Sequence, residues 1–409
     1  MIKLPFLNLR KNKNQSENFL AIYPEPFKVQ VAYFEAANPP TDEVPQAQLI
    51  SAVSKFMPED SLFHAGDHFN QTLETTEAIL DEMAQEYPDL PTQVIFGLSS
   101  DHCIDLMSIA RLENQTKKRF TQEQVEELAT QAQKNASFRA QDILATQKGD
   151  TDTDLELITS VDIFKKIDGA VTRDPIGLEG KELEFSWFGS FAEAPYLRYL
   201  QNLAKKLGLD ILTVSSLSYS FYSSLQELDS NYRNCVVINL GTSLTEVSVA
   251  FGGGLVGSRF INMGLISILK QISAKLELHY EETERVLEKY REGTLDSSIA
   301  VEVQKIVRRF FVVWSQALNM VFSDFTGIKT FSSRVLLVGP GFDIPDLVEL
   351  TSVEPWFKSI PFKAPPEFEK ALASGKLTEV TDISGKSSKL SWTLPLSLAH
   401  VYFKLEEDA

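Results

Sequence analysis

Cysteine is nearly absent: Cys103 and Cys235 are the only two in 409 residues. A disulfide framework therefore cannot be the organising device. Both thiols sit in apolar, strand-like runs, so they read as small buried hydrophobes in a reducing cytoplasm. Long apolar runs are missing too. No window reaches the ~20 apolar residues that a membrane-spanning helix needs. The apolar stretches in the opening MIKLPFLNLRKNKN are too short for a signal peptide. Positive charge is in deficit, with 39 Lys+Arg against 56 Asp+Glu and a formal net charge of -17. Such a surface repels a phosphate backbone, which argues against a nucleic-acid partner. Catalytic signatures are lacking as well. There is no HExxH, no CxxC, no Walker lysine loop and no nucleophile elbow. His64 and His68 have the spacing of a metal pair on a helix, but Gly66 lies between them, and the segment reads as a surface loop. His102 adjoins Cys103, and neighbours on a strand face opposite sides, so they make no nucleophile pair.

What is present suits a large globular protein. Hydrophobic residues make up 43% and Phe alone supplies 27, enough for thick cores in more than one domain. Strand-turn-strand units alternate with helical periods, and the pattern occurs twice. FLAIYPEPFKVQVAYFEA opens the first half around Pro24 and Pro26; NCVVINLGTSLTEVSVAF opens the second. Residues 71–87 have amphipathic helix spacing. Thr121 and Gln124 form a capping-box signature ahead of a helix over 122–136, and a polar loop is expected around Gly149. Gly208 is placed to end the helix PYLRYLQNLAKKL. Gly252-Gly253-Gly254 stands between two strands with no helix after it, which reads as a hairpin tip and not a phosphate cradle. Arg308-Arg309 lies beside Phe310, Phe311 and Trp314, as the basic edge of a buried helix face. A mixed α/β fold of duplicated halves follows.

Two glycine turns carry the chemistry. Asn239-Leu-Gly241-Thr242-Ser243-Leu-Thr245 joins two buried strands. Gly241 lets backbone N–H groups approach an anion, and the three hydroxyls add donors. Later, Gly339-Pro-Gly341 follows the strand Val335-Leu-Leu-Val338, where a flat ring or ribose can approach the backbone. In this order and context they resemble the second phosphate loop and the adenosine loop of the actin, Hsp70 and sugar kinase superfamily. Within it, Gln93–His102, Thr121–Val125 and Arg173–Glu184, with Pro175-Ile-Gly177, resemble segments of the division protein FtsA; the pilus protein PilM is next. The resemblance spans roughly residues 17 to 405. It implies two actin-like, ribonuclease H-like halves around a nucleotide cleft. Their core segments would be 17–90, 185–229, 230–275 and 331–409, with an FtsA-type inserted subdomain at 91–184 and a helical subdomain at 276–330. The cofactor contacts it implies are Asn239, Gly241, Thr242, Ser243, Thr245, Gly339 and Gly341, with ATP as the ligand and magnesium only alongside it.

The departures decide the expected function. The family's first phosphate loop is Asp-hydrophobic-Gly-Thr/Ser, whereas here Tyr23-Pro24-Glu25-Pro26-Phe27 removes N–H donors and adds a carboxylate that repels phosphate. Asn239 replaces a magnesium-holding Asp, Pro340 splits the adenosine loop, and Met263-Gly264-Leu265-Ile266 replaces a Gly-Gly-Asp run. The expectation is a scaffold with degenerate nucleotide loops and no catalytic residues, forming homo-oligomers or filaments and docking an FtsZ-like division protein. The alternatives are an active ATPase or kinase of the same fold, or a PilM-like adaptor for a pilus or secretion system. Residues 1–16 form a basic arm with Lys3, Arg10, Lys11 and Lys13 beside Ile2, Leu4 and Phe6. It is the candidate for peripheral contact with the inner face of the membrane, since the acidic end Lys404–Ala409 offers no amphipathic anchor.

Overall fold

The computed structural model describes residues 18–37, 46–58, 68–149, 151–353 and 355–407. The arm, with His64 and Asp67, lies outside them.

In order along the chain come β1 (Asn18–Pro24), β2 (Lys28–Ala37), β3 (Gln46–Phe56), α1 (His68–Glu86) and β4 (Gln93–Leu98). Next are β5 (Cys103–Arg119), α2 (Gln122–Lys148), β6 (Leu155–Ile167), β7 (Ala170–Thr172) and β8 (Glu179–Glu193). The first half then resumes with α3 (Ala194–Leu207), β9 (Asp210–Ser216) and α4 (Leu217–Leu228). The second half runs through β10 (Cys235–Leu240), β11 (Thr245–Phe251), β12 (Gly254–Ile261), α5 (Leu265–Leu276), α6 (Tyr280–Arg291), α7 (Ser297–Ser323) and β13 (Arg334–Val338). It closes with α8 (Pro345–Thr351), β14 (Glu367–Lys370), β15 (Val380–Asp382) and α9 (Leu398–Glu407).

Among the described residues the strands form two sheets, ordered β15-β3-β2-β1-β4-β9 and β14-β13-β10-β11-β12-β5-β8-β6-β7. The duplication is visible in the pairing. β1 is antiparallel to β2 and parallel to β4, just as β10 is antiparallel to β11 and parallel to β13. Both β1 and β10 are almost continuously apolar because both their faces are covered. Phe19, Ala21 and Tyr23 face a central core shared with Cys235 and Val237, which α4 and α9 fill between the sheets. Leu20 and Ile22 turn outward to a layer with residues of α1 and α3; Val236, Ile238 and Leu240 turn outward to residues of α5, α6 and α7.

The segment from β5 to β8 leaves the first half in sequence yet adds its strands to the second sheet. The seam pairs Gly257 of β12 with Leu106 of β5. A Cβ on Gly257 would stand 2.7 Å from the Asp105 carbonyl oxygen, so the strands meet closely only because that position is glycine. The β5–β8 segment has its own core, with α2 packed on β5 and β8. Thr121 makes the expected capping box, its hydroxyl accepting from the Gln124 amide. The helix does not stop near residue 136 but runs to Lys148, and Gly149 caps it at φ 68°. The reason is a stripe at four-residue spacing, Leu128, Ala132, Ala136, Ala140 and Leu144, all buried, which keeps α2 seated on the sheet. Gly208 ends α3 in the left-handed conformation, and Gly252 and Gly253 form the tip between β11 and β12.

Candidate functional site

The turns that end β1 and β10 face one another across the boundary between the halves. The first is pinned on both sides. Tyr196 of α3 donates its hydroxyl to the Pro24 carbonyl (3.2 Å), and His68 Nε2 lies 3.1 Å from the Pro26 carbonyl. Glu25 donates its N–H to the Lys28 carbonyl at 2.8 Å, which closes the turn. The second turn is equally fixed. Gly241 N–H is taken by Leu244 O (2.9 Å), while Leu265 and Ile266, opening α5, donate to the carbonyls of Gly241 and Thr242 (both 2.9 Å). Gly264 permits this: a Cβ there would lie 2.4 Å from Thr242 O.

Between the turns, Glu25 is 3% exposed. Its two carboxylate oxygens accept from Thr242 N–H and from Thr242 Oγ1–H, each at 3.1 Å. Burial pushes the Glu25 carboxyl up to about 7, against the pull of Lys28 and of the two Thr242 bonds. Lys28 is itself buried, its Nζ 5.4 Å from the Phe56 ring centroid, and burial lowers its pKa.

Of the residues singled out in sequence, Asn239, Gly241 and Gly339 line one void with Tyr23 and Glu25. That void is about 10 Å³, the scale of a single water. Thr242 faces Glu25, and Ser243 is half-buried on the same turn. Thr245 points away. Its hydroxyl donates to Met263 O (2.5 Å) and accepts from Trp314 Nε1–H (2.8 Å) in the core of the second half. The glycines of the later loop are explained by the chain itself. A Cβ on Gly339 would stand 2.3 Å from Asn239 Oδ1, and one on Gly341 2.2 Å from Leu240 Cγ.

Above this floor the halves part. An open cleft of about 1400 Å³ runs between β3 and α1 on one side and α5 and α6 on the other. Lys28, Tyr280, Glu284, Arg291, Asp343 and Lys389 line it. Arg291 donates to Pro340 O (2.9 Å) and pairs with Glu288 (3.3 Å), which also pairs with Lys389 (3.1 Å). Burial holds the Glu284 carboxyl up near about 7, with Lys28 and Arg291 pulling the other way.

Sequence reasoning missed a second polar joint below the floor. Asp105, 1% exposed, accepts from Ser190 (2.6 Å), Ser216 (2.5 Å) and the Cys103 thiol (3.8 Å). Glu246, 2% exposed, accepts from Ser100 N–H (3.0 Å), Ser248 (3.2 Å) and, very closely, Ser218. Ser100 and Ser218 belong to the first half, so Glu246 ties the halves together. Burial pushes Asp105 up to about 7 and raises Glu246. The sequence signal was the serine run from Ser215 to Ser224. Nearby, His102 stacks on Tyr196 with ring centroids 3.6 Å apart and lies 3.4 Å from Glu193, away from the Cys103 thiol.

No protein-family model matches this sequence, and no curated protein matches it. Solved structures do. A chain of the PilM–PilN type IV pilus biogenesis complex superimposes with a TM-score of 0.62 at 13% identity, covering 94% of this chain and 98% of that one. The fold is actin-like. Ethanolamine utilization protein EutJ from Carboxydothermus hydrogenoformans gives a TM-score of 0.48 at 10% identity, covering 95% of this chain and 91% of that one.

An actin-like cleft raises the question of nucleotide with magnesium, and the residues present do not fit that group. The position facing the Thr242 loop is filled by a carboxylate, the adjoining void is about 10 Å³, and Asn239 in its wall offers a neutral amide, a poorer ligand for magnesium than a carboxylate.

Proposed function

We propose that this chain is an actin-like adaptor: a scaffold that docks partner proteins and self-associates, without running a nucleotide cycle. One observation carries the reading. The floor of the cleft is closed by the protein's own Pro24-Glu25-Pro26 turn, which leaves about 10 Å³ beside Asn239, Gly241 and Gly339. Loss of the magnesium carboxylate and of first-loop N–H donors removes charge-assisted bonds that contribute ~1.5–3 kcal/mol each. Any affinity for ATP at Asn239, Gly241, Thr242, Ser243, Gly339 and Gly341 is therefore weak, with turnover near background. Thr245 is committed to Trp314 and takes no part.

Two settings suit such an adaptor. One is FtsA-like, with an FtsZ-like division protein as the partner, the segment at 91–184 as the added subdomain and the arm at 1–16 as a peripheral membrane contact. The other is PilM-like, in pilus or secretion assembly, and the match along nearly the whole length of a PilM–PilN chain favours it. Titration calorimetry of the full chain with ATP and magnesium, and separately with purified FtsZ and purified PilN from the same cells, tests the reading. Binding of one protein partner without ATP is the expected result. Micromolar ATP binding with phosphate release, and no response to either protein, would overturn it.

A further inference from the structure

Glu25 does more than block a loop. Its carboxylate meets an amide N–H and a hydroxyl from one residue of a glycine turn, one bond to each oxygen. A short turn that offers a backbone N–H and a neighbouring hydroxyl in this way is the donor set of an oxyanion site. The turn is rigid before Glu25 arrives, because Gly241 N–H and the first N–H groups of α5 are already spent on the turn's own carbonyls. Thr242 N–H is the turn donor that meets the Glu25 carboxylate. The delivering turn is equally fixed: two prolines flank Glu25, and Tyr196 and His68 hold the carbonyls of Pro24 and Pro26. Neither side needs to rearrange to make the contact.

We propose that Glu25 is the built-in ligand of the Thr242 loop, a carboxylate of the first half held in the oxyanion site of the second, which clasps the halves and excludes phosphate-bearing ligands. The proposal rests on the reading that the chain works without a nucleotide cycle. It makes Glu25 the residue that sets ligand specificity there. It also explains how the floor stays closed while the cleft above it is open by about 1400 Å³. Removing the carboxylate would leave Thr242 N–H and Thr242 Oγ1–H without their acceptor, and would take away one of the negative charges facing the buried Lys28. A buried donor set of that kind draws an external anion.

Binding of inorganic phosphate to the full chain tests this directly, by calorimetry on the wild type, Glu25→Ala and Glu25→Gln. Glu25→Ala is expected to gain at least about tenfold in phosphate affinity. Glu25→Gln fills the same volume without the charge and is expected to gain little. Equal phosphate affinity in wild type and a folded Glu25→Ala protein would overturn the proposal. Should Glu25→Ala fail to fold, hydrogen exchange in Glu25→Met decides, because methionine fills a similar volume but offers Thr242 no oxygen. Exchange at the Thr242 amide should rise several-fold over the wild type, and unchanged protection would overturn the clasp. Both readouts are independent of ATP turnover and partner binding, so this proposal and the adaptor reading fail separately.

Discussion

Asp105→Asn should change how stability depends on pH, and the size of the change follows from the joint below the cleft. The Asp105 carboxyl is buried, faces Ser190, Ser216 and Cys103, and sits close to the second acid Glu246. Burial lifts it from 3.8 to about 7, with the bonds from Ser190 and Ser216 opposing and Glu246 adding to the rise. In the unfolded chain it returns to its ordinary value. Between pH 4 and 7 the folded state therefore holds a proton that the unfolded state has released. The stabilisation is fully present below about pH 4 and is lost as pH rises through about 7. A one-proton difference between the two states costs about 1.4 kcal/mol for each pH step of one. Asp105 alone therefore removes on the order of 3 kcal/mol between pH 5 and pH 8. Asparagine does not titrate. Its oxygen can still accept from Ser190, and its NH₂ can donate to the Ser216 hydroxyl, so the joint keeps its shape. Glu25 and Glu246 also titrate upward, so the difference between variant and wild type is the quantity to read. Urea unfolding by tryptophan fluorescence at pH 5, 6, 7 and 8 measures it. The variant should gain on the wild type by about 2–3 kcal/mol from pH 5 to pH 8. Two curves that stay parallel across that range would refute the argument that Asp105 holds a proton in the fold.

Three further substitutions test the frame around the site. Gly264→Ala sets a methyl 2.4 Å from Thr242 O and 2.6 Å from Ser243 C, both backbone atoms; chemical unfolding should register a loss of about 3 kcal/mol or more. Gly149→Ala meets no atom within 4 Å and is strained only by its φ of 68°, so its loss should stay near ~1 kcal/mol in the same assay. Trp314→Phe removes the donor to Thr245 and part of a fully buried ring system, and should shift the urea midpoint by the equivalent of ~1–3 kcal/mol without altering partner binding.

Local chemistry was legible in the sequence where its partners lie within a turn or two. The Thr121 capping box, the Gly208 cap and the Gly252–Gly254 tip all need only neighbouring residues, and sequence shows neighbours. The length of α2 was less so, because Ala132, Ala136 and Ala140 are weak hydrophobic signals that become a buried face only once β5 and β8 lie beneath them. The site divides in the same way. The turn at 239–245 is recognisable from its glycine and hydroxyls. That Glu25, 217 residues away, would be the acceptor for Thr242 is not, since composition suggests only repulsion between a carboxylate and phosphate. Thr245 shows the converse. Its hydroxyl belongs by composition to the loop, yet it opens β11, where alternation turns it toward Trp314 and the core.

The seam between β5 and β12 also sets an order of events during synthesis. By the time residue 193 has been made, β5 and β8 can pair and α2 can cover them, since every partner in that small core is already present. The other edge of β5 must wait for residues 254–261. Until they emerge, the β5–β8 segment presents an open strand with Leu106 and Met107 on it, the kind of edge that pairs with the wrong chain. A nascent chain stalled between residues 193 and 254 is thus the species most prone to aggregate. Fragments that end there should need a chaperone or a fused solubilising partner, whereas fragments extended past Ile261 carry the strand that closes the edge.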